Sequence, residues 1–388
     1  MKPYPQSRNT ANLSESGRSQ HVRTSGRRSA SSLLSLALFL ALAPAALASS
    51  TWYVDGVNGS DSNDCKSPRH ACKTIGHAIS LASSGDSIMV AAATYTENIT
   101  IGFSLKVIGA GAATTIIDGG GVSRVVTISA ANAHVTLSKL TIRNGGTPSF
   151  GGGIYNIGTL TINNSAVSGN LAFAQNVAAG GGIFNSGTLT IANCTVSTNS
   201  ARAFAGALGG GVANAGTLTI NNSTISGNSA SAFRAQGGGI ASFGQGGTIT
   251  INNSTLSGNR ALGPHPEGGG IGGTATLQNS IVANNQAGNC NGTITSNGYN
   301  LSSDGTCNFN NTGDLNNTDP KLGQLGNYGG PTQTMPLLSG SPAIDVGNPS
   351  GCTDGNGHLL KTDQRGKPRP DKEDTGGCDM GAYERQTD

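Results

Sequence analysis

The sequence predicts an all-β chain: a right-handed parallel β-helix of about eight turns, with an N-terminal cap helix and a C-terminal capping module. Three observations predict it. Triple glycines begin at Gly151, Gly180, Gly209, Gly237 and Gly268, spaced by 29, 29, 28 and 31 residues, and each is followed by an apolar residue (Ile154, Ile183, Val212, Ile240, Ile271). Within the copies, apolar and polar residues then alternate, as in Leu160 and Ile162, Leu189 and Ile191, Leu218 and Ile220, Ile249 and Ile251. Period two marks a strand with one buried face. Composition removes the competitors: Gly fills 60 of 388 positions without a three-residue period, which excludes collagen. Regularly spaced Ile, Leu and Val argue against disorder.

The first element is of another kind. Residues 1–48 carry six bases against one acid, then an apolar run from Leu33 to Ala48 that ends in the small-x-small triplet Ala46-Leu47-Ala48. This reads as an export signal. The run is short for a membrane span, which needs about 20 residues, so no transmembrane segment is expected after cleavage. The chain's 23 basic and 20 acidic residues include 6 and 1 in this segment, leaving 17 against 19. That balance gives no general case for nucleic-acid binding. The mature protein is expected to be a secreted or cell-surface monomer, where disulfides persist. Near neighbours suggest Cys65 with Cys72, Cys290 with Cys307 and Cys352 with Cys378, which leaves Cys194 unpaired. No CxxC spacing exists, so zinc is not expected.

Residues 49–86 read as a loop and a cap helix: between Lys73 and Asp86, Ile75, Ala78, Ile79 and Ala82 share one helical face and would cover the first coil. Residues 87–312 read as the coils, irregular at first and then repeating. Each repeat offers three short strands and about four inward apolar side chains, too few to stand alone, so copies must stack. Stacking aligns Asn170, Asn199, Asn228, Asn259 and Asn285 in a ladder at a tight corner, where asparagine tolerates left-handed backbone. A second ladder would run Asn164, Asn193, Asn222, Asn253, Asn279. Cys194 stands in the column of Ser165, Ser223, Ser254 and Ser280, as a small side chain and not a nucleophile. The variable segments LAFAQNVAA, SARAFAGAL, SASAFRAQ and RALGPHPE are expected to be loops on one edge and, with the strand face beside them, the binding candidates.

Glycoside hydrolysis generally needs two flanking carboxyl groups. From Gly119 to Pro266, 148 residues, there is no Asp and no Glu. The regular coils therefore offer no carboxylate catalysis, and no catalytic residue is assigned. The loop Asp55, Asn58, Asp61, Asn63, Asp64 is rich in oxygen donors and is a candidate calcium site, with a solvated Asx-turn loop as the other reading. No other cofactor is implied. In the tail, Asp345, Asp354, Asp363, Asp379 and Glu384 stand near Arg365 and Arg369 in sequence. Structural pairing that closes the last coil is the favoured role there, and a concealed active site is the alternative. His134 and His265 have no evident Ser or Cys partner and read as ordinary polar positions.

The stretch YVDGVNGSDSNDCKSPRHACKTIGHAISLASSGDSIMVAAATYTENITI resembles the opening of exported right-handed β-helix proteins, including polysaccharide lyases of pectin-lyase-like fold. The GGGI and GGGIFN repeats resemble those of bacterial polymorphic outer-membrane proteins. Residues 313–388, with DPKLGQLGNYGGPTQTMPLLSGSPAIDVGN, TDQRGKPRP and CDMGAYE, are similar to the choice-of-anchor Q domain of bacterial surface proteins. The resemblance implies an exported, surface-associated β-helix with no reaction attached to the tail. Two readings follow: a non-catalytic, adhesin-like surface protein that binds polysaccharide or cell-surface glycan, or a polysaccharide lyase. A groove with converging Asp, Lys or Arg would favour the lyase; a flat Asn, Thr and Ser face would favour binding. A polyanion binder, resting on six bases between Gly119 and Pro266, is a third.

Overall fold

The computed structural model describes residues 49–387 except 245–246, 355 and 373–376; the expected export signal lies outside the described residues. The chain is all-β, a parallel β-helix of the right-handed type, with sheets of ten, nine and eight strands forming its three walls. Copies stack in register. Leu160, Leu189, Leu218 and Ile249 form one inward column of the first wall. Val167, Val196, Ile225 and Leu256 do so in the second, and Ile154, Ile183, Val212 and Ile240 in the third. These side chains are buried in one continuous core.

The opening end is covered by the helix Ile75–Leu81, which buries Ile75, Ala78 and Ile79, while Ala82 ends it as the C-cap. Thr74 caps it through Oγ1. Glu97 adds its carboxylate to the first-turn Ile75 and Gly76 N–H groups at 2.9 and 2.8 Å, where a negative charge suits the helix dipole.

The variable segments are not loops. Each of the four repeats that carries such a segment holds five strands, because the segment folds into an outgoing and a returning strand such as Leu171–Ala174 with Val177–Ala179 and Ser200–Ala203 with Gly206–Leu208. Stacked, they make two further parallel sheets of five and four strands. The two sheets share a core of alanines, among them Ala172, Ala178, Ala201, Ala207, Ala230, Ala235 and Ala261. The result is a thin fin standing off the helix. Its alternation is written in alanine, which contrasts too little with its neighbours to read as a strand pattern.

The triple glycine makes the neck where the fin's strands leave and return. Its first glycine has φ between +54° and +67° in all five copies. A Cβ on the second would lie 2.3 Å from the outgoing backbone, as Gly181 against Ser200 and Gly210 against Ser229. A Cβ on the third would press on the asparagine ladder, 2.9 Å from Asn199 Cγ at Gly182 and 3.1 Å from Asn228 Cγ at Gly211. Only glycine fits all three positions.

In that ladder each Nδ2 donates to the next Oδ1: Asn170 to Asn199 at 2.9 Å, Asn199 to Asn228 at 3.0 Å, Asn228 to Asn259 at 2.9 Å and Asn259 to Asn285 at 3.0 Å. The same oxygens accept the backbone N–H of the preceding asparagine, and the second amide hydrogen bonds a carbonyl of the preceding coil, as Asn228 to Val196 O at 2.9 Å. The left-handed corner belongs elsewhere. It falls on Gly169, Thr198, Gly227 and Gly258, and on the second asparagine column, where Asn164, Asn193, Asn222, Asn253 and Asn279 have φ from +47° to +54°.

Cys194 takes its place in the serine column. Its N–H donates to Ser223 Oγ at 3.1 Å and its thiol to Ala192 O, and burial pushes that thiol up to about 12. Disulfides join Cys65 to Cys72, Cys290 to Cys307 and Cys352 to Cys378.

Removing one ladder amide takes partners from buried donors on the preceding coil and from buried acceptors on both neighbouring coils, as Asn228 does for Asn199 N–H and Nδ2, Val196 O and Asn259 Oδ1. Asn228→Ala is therefore expected to lower unfolding stability by about 3 kcal/mol in denaturant titration, and Gly211→Ala by a similar amount. Cys194→Ser restores the column's common residue and is expected to change stability by less than about 1 kcal/mol.

Candidate functional site

The tail does not simply close the last coil. Phe309 and Cys307 do enter the core at that end. From there the chain turns back and lies along the outer face of the second wall. That face carries two outward columns: Thr141, Ala166, Thr195, Thr224, Thr255, and beside it Arg143, Ser168, Ser197, Ser226, Ser257. The repeat thus presents rows of small hydroxyls, and the tail is fitted to them.

Gln364 is the centre of that fit. Its Oε1 accepts from Thr224 Oγ1 at 2.6 Å, and its Nε2 donates to Thr332 Oγ1 at 3.0 Å and Gln333 O at 2.8 Å. The second asparagine column supplies more: Asn222 donates to Thr362 O at 2.9 Å, Asn253 to Thr353 O at 2.6 Å and Asn279 to Asp379 O at 2.9 Å. Arg369, fully buried, pairs with Glu384 at 2.7 Å and reaches Asn222 Oδ1 at 2.9 Å. Arg365 pairs with Asp363 at 2.7 Å and lies over the Tyr383 ring. The tail's charges are therefore structural partners, but along the side of the helix and not on its last coil. Asp354 lies apart from them, bonded to His358.

Between the docked tail and the coils a groove stays open. Its deeper part, about 420 Å³, has Thr141, Ala166, Ser168, Ser197 and Thr198 as floor and Leu325, Asn327 and Gly330 to Gln333 as wall. It continues past Ala112 and Pro331 into a hollow of about 560 Å³ bordered by Ala110 to Thr114, Lys139 and Asn164. Among the described residues, Lys139 is the only titratable side chain lining either part. On the floor's Ser column, one coil before Ser168, Arg143 is bonded to Asp118 at 2.8 Å. Burial pushes the Asp118 carboxyl up, but the Gly120 N–H, Asn144 and Arg143 outweigh it and hold it below the usual carboxylate range. It is an ionised partner to Arg143, with no free proton to give.

The candidate calcium residues are turned to local bonds. Asp55 accepts the Val57 and Asn58 N–H groups at 2.9 and 3.0 Å, an Asx turn whose donors keep its carboxyl low. Asp61 accepts from Lys73 and Thr74 N–H, each at 2.9 Å, and Asp64 from Lys66 N–H at 3.1 Å. Asn58 bonds Asp55. Among the described residues, Asp55, Asp61 and Asp64 do not converge as a three-carboxylate donor set. The one cluster of metal-ligand side chains among those residues is Cys65, Cys72 and His77, and its two sulfurs are joined in a disulfide.

The sequence points to the variable segments and the strand face beside them as binding candidates, and does not show that the tail lies over the second wall to form a groove. The available signal is the outward Thr and Ser columns, whose uniform size suits a docked segment. No protein-family model and no curated protein matches the chain. Among solved structures, it is similar to the pectate lyase Pel9A, at 14% identity and TM-score 0.40 over 87% of this chain and 96% of that one. It is also similar to the GH136 lacto-N-biosidase from Eubacterium ramulus, at 10% identity and TM-score 0.31 over 65% and 63%. At these values neither likeness bears on activity.

The docked tail that supplies the groove's wall also holds the buried Arg369–Glu384 pair, whose carboxyl is shifted by its surroundings. Burial, against the pull of Arg369 and aided by Asp379, raises the Glu384 carboxyl to about 8 from 4.5. Its Oε1 is buried without a hydrogen-bond partner, a site suited to a proton. A carboxyl raised on folding stabilises the fold fully below its unfolded value and loses that contribution as pH rises through the folded one. Thermal stability of the wild type is thus expected to fall between pH 4.5 and about 8. Glu384→Gln should flatten that dependence in differential scanning calorimetry, apart from other titrations.

Proposed function

We propose that the chain is an exported, non-catalytic β-helix protein that binds polysaccharide or cell-surface glycan in the groove between its second wall and its tail. The observation that carries this reading is the groove's lining: neutral hydroxyl and amide side chains with alanine, leucine and proline between them. Such a surface hydrogen-bonds sugar hydroxyls and packs on ring C–H faces, but offers no acid–base pair to break a bond. The disulfides and the absence of any helix long and apolar enough to cross a membrane, among the described residues, are consistent with an extracellular place. The resemblance of residues 313–388 to surface-protein domains suits either release or non-covalent retention at the cell surface.

The lyase reading keeps one supporting observation. Lys139 borders the groove and Arg143 lies beside its floor, so two bases could meet an acidic sugar. Against it, Arg143 is committed to Asp118.

A glycan array should find at least one ligand, and Ala166→Trp, which fills the floor, is expected to weaken its binding by about tenfold or more with the fold unchanged. The same glycans should give no ultraviolet-absorbing unsaturated product. Accumulation of that product, abolished by Lys139→Ala or Arg143→Ala, would replace this reading with the lyase.

A further inference from the structure

The fin has no part in the groove, and its outer edge is unlike the rest of the surface. In a chain that is only 4% aromatic, Phe173, Phe204 and Phe233 stand 50%, 79% and 51% exposed on it, with Val177 beside them. Successive tips are tied by backbone bonds, Phe204 N–H to Gln175 O, Phe233 N–H to Phe204 O and His265 N–H to Phe233 O, so Phe204 and Phe233 stand on adjacent coils at the tip, while Phe173 lies on the outgoing strand in the column of Arg202. The His265 ring packs edge-on against Phe233 at 4.8 Å. The interior of the fin is already filled with alanine, so these rings have nowhere to fold inward. Arg202 and Arg234 are exposed on either side of the row, and Arg260 lies nearer the neck. The fin's single acid, Glu267, sits at the root of the last returning strand, away from the tip.

We infer that this edge docks on an anionic lipid surface. The ridge is convex and narrow, with rings at its crest and guanidinium groups on its flanks. That shape enters the boundary between headgroups and acyl chains, where phenyl rings leave water and arginines meet phosphates. A glycan chain would need a concave site with ring faces laid open, which a crest does not offer. Two surfaces of one molecule thereby serve two partners: glycan in the groove, lipid at the fin.

The test is co-sedimentation of the full chain with vesicles of phosphatidylcholine containing phosphatidylglycerol, compared with Phe204→Ser/Phe233→Ser and with Arg202→Gln/Arg234→Gln. The apolar run at 33–48 contributes equally to all three. Both variants are expected to bind about tenfold more weakly or worse, and salt should weaken the wild type more steeply than the arginine variant. A separate Phe204→Trp variant should shift its emission to the blue on vesicle binding, since the native Trp52 is buried and constant. Equal binding by the double-serine variant, or an unshifted emission from Phe204→Trp, overturns the inference. So does a concentration-dependent dimer lost in the double-serine variant without any vesicle-dependent change, which would assign the edge to a second copy. Loss of glycan binding with vesicle binding intact touches only the groove, so the two readings fail separately.

Discussion

The asparagine amide that rests on the third glycine of each triplet is the contact on which the rest of the repeat depends. It lies where the chain leaves the wall for the fin and where it comes back, so it must satisfy backbone on both sides in a space with no room for a Cβ. Asn199 shows how: its Oδ1 takes two donors from the Asn170 coil, and its Nδ2 gives to Val167 O and Asn228 Oδ1. A fully satisfied buried amide costs little to bury, whereas one that is half satisfied is a heavy penalty. Register between coils is therefore fixed by hydrogen bonds as well as by the aliphatic stack. A third column, Asn156, Asn185, Asn214, repeats the device at 2.7 Å on the other wall.

How much of this is legible in the sequence depends on how local each constraint is. The inward columns, the ladder and the cap helix repeat or alternate, so identical physics acting on each coil leaves an identical trace. The fin reads as loops because alanine carries its period and alanine is weakly apolar. The left-handed corners lie one column away from where the sequence suggests: asparagine in a repeat signals either an amide bond or a positive φ, and only coordinates separate Asn170 from Asn164. The tail is the hardest. Arg369 meeting Glu384 is readable as a pair of charges, but that the pair rests on Asn222, 147 residues earlier, is not.

The groove is composite, which hides it from the sequence. Its floor belongs to the repeat and its wall to the tail, so neither segment carries the site alone. The outward Thr and Ser columns are uniform for the same reason the inward ones are, since each coil repeats its neighbour. Where the tail lies on them they become hydrogen-bonding sockets for Gln364 and Thr334; where it lifts away at Leu325 to Pro331 they become a floor. The lack of carboxylates between Gly119 and Pro266 then has a simple role: it leaves a neutral face on one wall and an uncompensated pair of arginines at the fin's tip.

The ladder and its glycines hold the coils together, whereas the fin beyond them buries little more than alanine and is expected to open first. Hydrogen exchange read peptide by peptide tests it most directly. The account predicts slow exchange at Asn170, Asn199, Asn228 and Asn259, fast exchange at the tips around Phe204 and Phe233, and, in Asn228→Ala, acceleration spreading to the neighbouring coils on both sides. Tips protected as well as the ladder, or an Asn228→Ala effect confined to its own coil, would contradict it.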